Sequence, residues 1–330
     1  MMRWLGLLGS LRLTLAGFLL LAIGILVAYF NETHTSPWLV GALLLLAGNL
    51  LAAILTRPFF RRQKPLLLFH LALLALIVLI AVGRLSYFSG QAEVLSGTEF
   101  DGQLRVVEEG PWHSRGYDKL RFTNEGFTIA YGEGLYRLPT KNRVSWTDSD
   151  GQAQSKVIGD DVALILDGYR FYTTPNKGFA MVFDWLQPGQ APVRGAVLLP
   201  SYPARALEQA NEWRLPGKPE PVWTMLQLDE EVLKFDQPGQ FVLPADYRVV
   251  VRHGDQRLEL PPVKGGQTGD QPRFVDFPEG RLVYVEMRSW MGYLVTYDPT
   301  LRWLLAVATL AVLALGWHFW RKFAATPWDA

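Results

Sequence analysis

The sequence of 330 residues contains no cysteine. This absence excludes disulfides, thiolate metal ligands, thiol redox chemistry and a haem attached covalently at a Cys-x-x-Cys-His motif of this chain. The chain also lacks an excess of either charge, because 32 Lys and Arg balance 31 Asp and Glu. A nucleic-acid-binding protein would carry a strongly basic surface, so we expect no nucleic-acid partner.

Common catalytic motifs are absent as well. The sequence has no Gly-x-x-x-x-Gly-Lys phosphate loop, no His-Glu-x-x-His, no Gly-x-Ser-x-Gly and no dinucleotide-binding fingerprint after a predicted strand. Apolar residues are abundant, at 49% of the chain, and the mean hydropathy is +0.10. Composition and length together predict a membrane part joined to a soluble part.

Four apolar runs predict four transmembrane α-helices, three near the N-terminus and one near the C-terminus. They cover residues 11–30, 38–55, 65–83 and 301–319. The first run is too long for a signal-peptide core and lacks a small-x-small cleavage pattern, so we predict an uncleaved helix. Gly17 and Gly24 lie on one face of it, which allows a neighbouring helix to approach closely; the alternative is glycine scattered by chance.

Basic residues predict the orientation of these helices. Segment 57–64 contains four Lys or Arg residues in eight, whereas the link 31–37 contains no Lys or Arg. Short basic loops stay cytoplasmic, and Arg321 and Lys322 follow the last run, so both termini are predicted to be cytoplasmic. The residues between the third and fourth helices are therefore predicted to lie outside the cytoplasm.

Residues 85–298 are rich in glycine, proline and short alternating runs, with turn signals at intervals of about ten residues. This pattern predicts a large all-β extracytoplasmic domain between helices three and four. Its clearest strands are 127–131, 143–146, 247–252 and 257–260, and the only short helical candidate is 204–213. The predicted domains are the three-helix membrane domain 1–84, the β-rich domain 85–298, and the last helix with its cytoplasmic tail, 299–330.

His70 lies inside the third apolar run. An ionisable residue in a membrane helix is costly unless it meets a partner, a cavity or a cofactor, so its default interpretation is functional. At 1.5 Å per residue, His70 is roughly 9 Å beyond Lys64 and His318 is roughly 5 Å before Arg321. Both are predicted on the cytoplasmic side. The alternatives are an interhelical hydrogen bond for His70 and an interfacial polar residue for His318.

Asn49 is the one amide inside the second apolar run and lies roughly 12 Å from its basic end, near the depth of His70. A hydrogen bond from Asn49 to one nitrogen of His70 would fix which nitrogen faces a metal. His34, in the first link, is an alternative ligand at the outer face. His113 and His253 fall in turn-rich regions, where we expect solvated side chains.

Short motifs in chain order resemble the ResB family, also called CcsB, of cytochrome c biogenesis proteins. The motifs are Ser10-Leu-Arg-Leu-Thr14, Phe69-His-Leu-Ala-Leu-Leu74, Gly83, Ser89-Gly-Gln-Ala-Glu-Val-Leu-Ser-Gly97, Gly168-Tyr-Arg-Phe-Tyr-Thr173, Asp298-Pro299 and the ending 318–322. The short first link and Asp160-Asp-Val-Ala163 depart from the family pattern. These departures leave open whether the chain is the main assembly subunit or a divergent paralogue.

The resemblance implies a subunit of a haem transport and attachment complex in the bacterial inner membrane. Such a subunit works with a multispanning ResC/CcsA-like partner, conveys haem across the membrane to apocytochrome c, and has its large domain in the periplasm. The resemblance also implies that His70 ligates haem iron. We expect a non-catalytic subunit of a haem lyase (cytochrome c synthase) complex that also contacts membrane lipid.

The site residues expected to serve the haem, either in transit or b-type, are His70 as iron ligand, His318 as the second candidate ligand within this chain, and Asn49. The opposite axial ligand is otherwise expected from the partner. Two alternative functions stay open at this point. One is a b-type haem electron-transfer subunit ligated by His70 and His318, and the other is a cofactor-free membrane anchor with a periplasmic binding domain.

Overall fold

A computed structural model shows the fold and describes residues 6–266 and 272–324. The described chain divides into two compact units. The helical unit contains 6–90, 106–115 and 296–324, and the β unit contains 91–105, 116–266 and 272–295. Segment 106–115 belongs with the helices because its backbone bonds to the end of the third long helix: the amides of Gly110 and Trp112 donate to the carbonyls of Tyr87 and Leu85 at 2.8 and 2.9 Å.

The helical unit contains four long helices and a short helix that precedes the third of them. They are α1 Leu11–Phe30, α2 Pro37–Thr56, the short α3 Pro58–Arg62, α4 Lys64–Ser86 and α5 Leu301–Ala324. Proline near the first turn of α2, α3 and α4 favours helix initiation, because proline lacks the amide that a first turn leaves unpaired. The four predicted membrane helices are confirmed as helices long and apolar enough to cross a bilayer. Their orientation stays a prediction.

Small residues on α1 bring α2 close. A Cβ atom built on Gly17 would lie 2.6 Å from Cδ2 of Leu46, and one built on Gly24 would lie 3.2 Å from Cα of Leu39. Both glycines are buried on the same face of α1. The predicted role of this glycine pair is therefore confirmed, and α2 is the neighbour that approaches.

A glycine also determines how α4 and α5 meet. A Cβ atom on Gly83 would lie 2.7 Å from Oγ1 of Thr300 and 3.3 Å from Oδ1 of Asp298. The same Asp298 oxygen accepts hydrogen bonds from the Thr300 amide at 2.8 Å and its hydroxyl at 2.7 Å, just before α5 begins. Gly83 and Asp298 are distant in sequence, but they form one junction.

The β unit is built from β-strands and three short 3-10 helices among the described residues. The strands are β1 Phe88–Leu95, β2 Thr98–Glu99, β3 Arg105–Glu109, β4 Thr123–Thr128, β5 Ala130–Tyr131, β6 Lys141–Thr147, β7 Ala153–Ile158, β8 Leu164–Leu166, β9 Tyr169–Leu186, β10 Val193–Leu198, β11 Ala210–Arg214, β12 Pro221–Leu228, β13 Gly239–Gln240, β14 Tyr247–His253, β15 Gln256–Glu259, β16 Phe274–Phe277 and β17 Gly280–Tyr297. Three of these strands, β1, β3 and β17, extend into the helical unit.

These strands form four sheets. The largest runs β10-β9-β17-β1-β3, with β8 beside β9 and β16 beside β17. The other sheets are β11-β12-β14-β15, β2-β4-β6-β7 and the pair β13-β5. The prediction of a large β-rich domain between the third and fourth long helices is confirmed. The helical candidate 204–213 is wrong, because only Ala206–Glu208 forms a 3-10 turn and Ala210–Arg214 is strand β11.

The turns between strands follow from local side-chain chemistry. Oδ1 of Asp148 accepts from the amides of Asp150 and Gln152 at 3.0 and 2.8 Å, and Gly151 has φ +76°. An aspartate that bonds its own downstream backbone, with glycine at a left-handed position, closes a hairpin. The predicted strand 143–146 is confirmed within β6, and this turn joins it to β7.

A buried polar network lies in the β unit. Asn142 donates to Oδ1 of Asn124 at 2.7 Å and accepts from the Tyr293 hydroxyl at 2.7 Å. Asn124 in turn donates to the Val94 carbonyl at 2.9 Å. Asn124 and Asn142 are fully buried, so the hydrogen bonds offset the cost of removing these amides from water. The network fixes how β1, β4, β6 and β17 align.

The close α1–α2 contact can be tested by placing a larger side chain at Gly24. Gly24→Leu places a side chain against the backbone of α2, and we expect the free energy of unfolding of the full chain to fall by about 1–3 kcal/mol. Thermal unfolding in detergent measures the change. Gly48→Leu is the matched control, because a Cβ atom on Gly48 meets no atom within 4 Å. Equal melting temperatures for the two variants would contradict the close helix contact.

Buried Lys177 provides a test of the β unit by pH. Its Nζ donates to the Pro175 carbonyl at 3.2 Å and lies 5.1 Å from the Tyr131 ring centroid. Burial, with repulsion from Arg137, lowers the pKa of Lys177 from 10.5 to about 8. Between these two values the unfolded chain binds the extra proton, so this group makes the β unit more stable as the pH rises.

We therefore expect Lys177 to contribute a rise of about 1 kcal/mol in unfolding free energy between pH 7 and pH 9. Denaturant unfolding of the full chain, followed by tryptophan fluorescence, measures it. Lys177→Met should abolish the rise, whereas Lys141→Met, at an exposed lysine of β6, should retain it. The same pH dependence in both variants would contradict this assignment.

Candidate functional site

His70 lies on α4, and its Nδ1 atom is hydrogen-bonded within the helix. Its Nδ1 is 2.7 Å from the carbonyl oxygen of Leu66, one turn earlier on the same helix. A carbonyl oxygen only accepts, so Nδ1 carries the hydrogen, and in the neutral ring the lone pair is on Nε2. This is the arrangement found in metal-ligating histidines, which donate their other ring N–H to a carbonyl or carboxylate.

Aromatic rings hold the orientation of His70. The ring of Phe60 meets it edge-on with centroids 4.6 Å apart, and the ring of Phe69 meets it with centroids 5.2 Å apart. His70 is half-buried, and no group in the described part of the chain bonds to Nε2. The local structure therefore presents one unoccupied basic nitrogen in an apolar, aromatic setting.

Asn49 does not make the hydrogen bond that its depth predicted. Its Oδ1 accepts from the Thr14 hydroxyl at 2.7 Å, and its Nδ2 donates to the carbonyls of Leu8 and Ser10 at 2.5 and 3.2 Å. Asn49 therefore joins α2 to the beginning of α1, and the predicted bond to His70 is wrong. Depth along a helix fixes the level of a residue but not the direction in which its side chain points.

His318 lines a cavity of about 450 Å³ at the end of the helical unit that carries α3. The lining consists of Phe59, Arg62, Gln63, Pro65, His318, Arg321 and Lys322. Among the described residues, the lining contains two arginines, one lysine and one imidazole, without a carboxylate. Such a concentration of one charge favours an anionic group, because its field lines are focused inside a concave surface.

The cavity and His70 are connected by neighbouring residues. Phe59 lines the cavity and Phe60, the next residue of α3, contacts the ring of His70. Pro65, at the start of α4, also lines the cavity and precedes His70 by five residues, or roughly 7.5 Å along the helix. His70 itself is absent from the cavity lining among the described residues. The structure therefore brings the two predicted histidines to the same end of the bundle in different surroundings.

A group of three or more His, Asp or Glu side chains that could hold a bare metal ion is absent from the described residues. Haem differs from a bare ion because its porphyrin already supplies four nitrogens to the iron. The protein therefore needs to supply only one or two further ligands. The donor set fits that requirement: one imidazole with a free Nε2 near a basic cavity suits an iron chelate that carries carboxylates.

His113 and His253 pack against phenylalanine rings, whereas the sequence predicted solvated side chains for both. His113 stacks on Phe88 with centroids 4.6 Å apart, and His253 meets Phe277 edge-on at 5.1 Å. Burial lowers the pKa of His113, although the carboxylate of Glu109 opposes this effect. Both rings are half-buried, and we assign them no ligand role.

Glu108 organises the link between α1 and α2, which sequence reasoning missed. Its Oε1 accepts from the hydroxyls of Thr33 and Thr35 and from the amides of His34 and Thr35, the last at 2.7 Å. Burial would raise the pKa of Glu108, but these hydrogen bonds outweigh it and lower the pKa to about 2. Glu108 is 74 residues from His34, so no local pattern could have predicted this contact.

Comparison with known protein families gives a match over most of the chain. The family model of the ResB-like family matches residues 59–322, a range that contains His70, the β unit and the cavity residue His318. No curated protein matches the chain. The ResB-like family is associated with cytochrome c biogenesis, and with four membrane-capable helices the match indicates a membrane protein. The match covers most of the sequence, and the chain belongs to the ResB-like family.

Proposed function

We propose that this chain is a haem-handling subunit of a cytochrome c biogenesis complex in the bacterial inner membrane. The observation that carries the proposal is the hydrogen bond from Nδ1 of His70 to the Leu66 carbonyl, which leaves Nε2 free to ligate iron. The family match supports the same assignment. Haem supplies an iron atom with open axial positions, and the chain supplies a nitrogen in a defined direction.

In this proposal His70 binds haem reversibly, because haem that is conveyed across the membrane must leave His70 again. A single imidazole from this chain suits that task better than a closed pair of ligands. The ResB family generally works with a ResC/CcsA-like partner, and we propose that this partner provides the opposite axial ligand. His70 then defines the position of haem on the inner half of the bundle.

The basic cavity has a separate role in this proposal. Arg62, Arg321 and Lys322 would hold the propionate carboxylates of haem near the cytoplasmic surface, with His318 as an additional hydrogen-bond donor. Phe59 and Phe60 would contact the apolar edge of the porphyrin between the cavity and His70. Membrane lipid phosphates would compete for the same cations, as is common for basic cavities at this depth.

The β unit lies outside the cytoplasm in this proposal, with both termini inside. Its role is to hold the partner or apocytochrome c where haem arrives. The described part of the chain offers no nucleophile–base pair at His70, so the covalent attachment step belongs to the complex and its substrate thiols. This chain contributes ligand, charge and docking surface.

The absorption spectrum of the purified protein, alone and with a ResC/CcsA-like partner, tests the proposal. We expect a Soret band of imidazole-ligated haem that is lost in His70→Ala, because no other group replaces Nε2. His253→Ala is the matched control and should leave the band unchanged. His318→Ala should weaken haem retention without shifting the band, since the ring lines the cavity and does not ligate iron.

Three results would change this account. A band that persists unaltered in His70→Ala would contradict iron ligation by His70. The absence of haem from both preparations would favour a cofactor-free anchor. A band held by the lone chain and shifted by either His70→Ala or His318→Ala would instead favour a b-type electron-transfer subunit with two internal ligands.

A further inference from the structure

The basic cavity at the α3 end of the helical unit is built from three helices. Phe59 and Arg62 lie three residues apart on α3, so they share one helix face. His318, Arg321 and Lys322 are spaced by three and four residues on α5 and share a face there. The start of α4 completes the wall. Side chains from distant parts of the sequence therefore converge on one concave surface.

The polar groups of this cavity favour an anion that has several acceptor oxygens. Arg62 and Arg321 both line it, and an arginine presents five N–H donors in a planar fork that binds phosphate oxygens in pairs. Lys322 adds a further positive charge, and the described residues of the lining include no carboxylate. The volume of about 450 Å³ is that of a small-molecule site, which is large enough for a phosphate and the glycerol attached to it.

Exposed aromatic side chains at the same end of the unit favour a lipid over a free phosphate. Trp320 and Phe323 of α5 are 75% and 64% exposed, and the cavity residue Phe59 is 54% exposed. Tryptophan at the end of an apolar helix is typical of the membrane–water interface, which is the level of phospholipid headgroups. Acyl chains would bury these apolar surfaces, whereas a free phosphate would leave them in water.

We propose that this cavity binds the phosphate of an anionic membrane phospholipid, with Arg62 and Arg321 as its principal contacts. Basic cavities between membrane helices bind such headgroups on the cytoplasmic side, which is the side predicted for this end of the unit. The acyl chains lie against Phe59 and extend into the bilayer. Lipid binding of this kind does not require iron ligation by His70, so it is independent of that part of the proposed function.

Phospholipid and haem propionates would occupy the same cavity. The proposed function assigns the propionates to Arg62, Arg321 and Lys322, which are the cations that hold the lipid phosphate here. A bound lipid must therefore leave before the propionates can bind. Anionic lipid then lowers the apparent affinity of the chain for haem, and this consequence, unlike lipid binding itself, rests on the proposed function.

The test uses the full chain in a neutral detergent, with dioctanoyl phosphatidylglycerol as the probe and native mass spectrometry as the readout. Arg62→Gln combined with Arg321→Gln should raise the dissociation constant of the lipid about twentyfold, because each basic residue near a membrane surface contributes roughly fivefold in affinity. Arg12→Gln combined with Arg57→Gln is the matched control. It removes the same charge at exposed arginines outside the cavity and should leave the constant unchanged.

Measurements on the unmodified chain identify the ligand without relying on variants. Dioctanoyl phosphatidylcholine has the same phosphate but no net charge, and it should bind much more weakly than phosphatidylglycerol. Added NaCl should weaken phosphatidylglycerol binding, because salt screens the attraction between the arginines and the headgroup. A large excess of inorganic phosphate should displace little of the lipid, since it cannot replace the acyl-chain contacts. Haemin should displace the lipid, because its propionates need the same cations.

The outcomes separate this inference from the proposed function. Equal dissociation constants for the two double variants, or equal binding of the two lipids, would overturn the lipid site. Displacement of the lipid by a similar concentration of inorganic phosphate would also overturn it and assign a free-phosphate site instead. Lipid that stays bound in the presence of saturating haemin would contradict the propionate role of the cavity in the proposed function and leave the lipid site standing.

Discussion

The hydrogen bond between His70 and the Leu66 carbonyl is the interaction on which the account of this protein depends. Inside a bilayer every polar group needs an internal partner, because no water is available to replace it. Nδ1 meets that requirement within one turn of its own helix, and the second nitrogen is left unpaired in the described chain. This open nitrogen is the observation from which we propose a ligand at His70.

The same constraint explains the other polar side chains of the helical unit. Asn49 bonds to Thr14 and to carbonyls near the beginning of α1, so it stabilises the α1–α2 pair and does not bond to His70. Gly17 and Gly24 allow that pair to approach, and Gly83 allows the α4–α5 junction. Glu108 satisfies the amides of the first link and orients His34 at the same time. Hydrogen bonds and close backbone contacts therefore account for the positions of these side chains.

Sequence reasoning predicted the four helices, the β class of the inserted domain and several individual strands, because each depends on composition and spacing over a few residues. It did not predict that segment 106–115 joins the helices, or that Glu108 bonds to His34, because these contacts link distant parts of the chain. It predicted a depth for Asn49 but could not give the direction of its side chain around the helix. His318 was expected as an iron ligand, whereas its place in a basic cavity favours contact with an anion.

The most direct test of the central claim is the protonation state of the two His70 ring nitrogens in the ligand-free protein. Two-bond ¹⁵N–¹H correlation spectra of histidine-labelled full chain, with His70 assigned by comparison with His70→Ala, report which nitrogen carries the hydrogen. The account predicts a protonated Nδ1 and an unprotonated Nε2 at neutral pH. A ring protonated on Nε2, alone or together with Nδ1, would contradict it, because no lone pair would then face the haem.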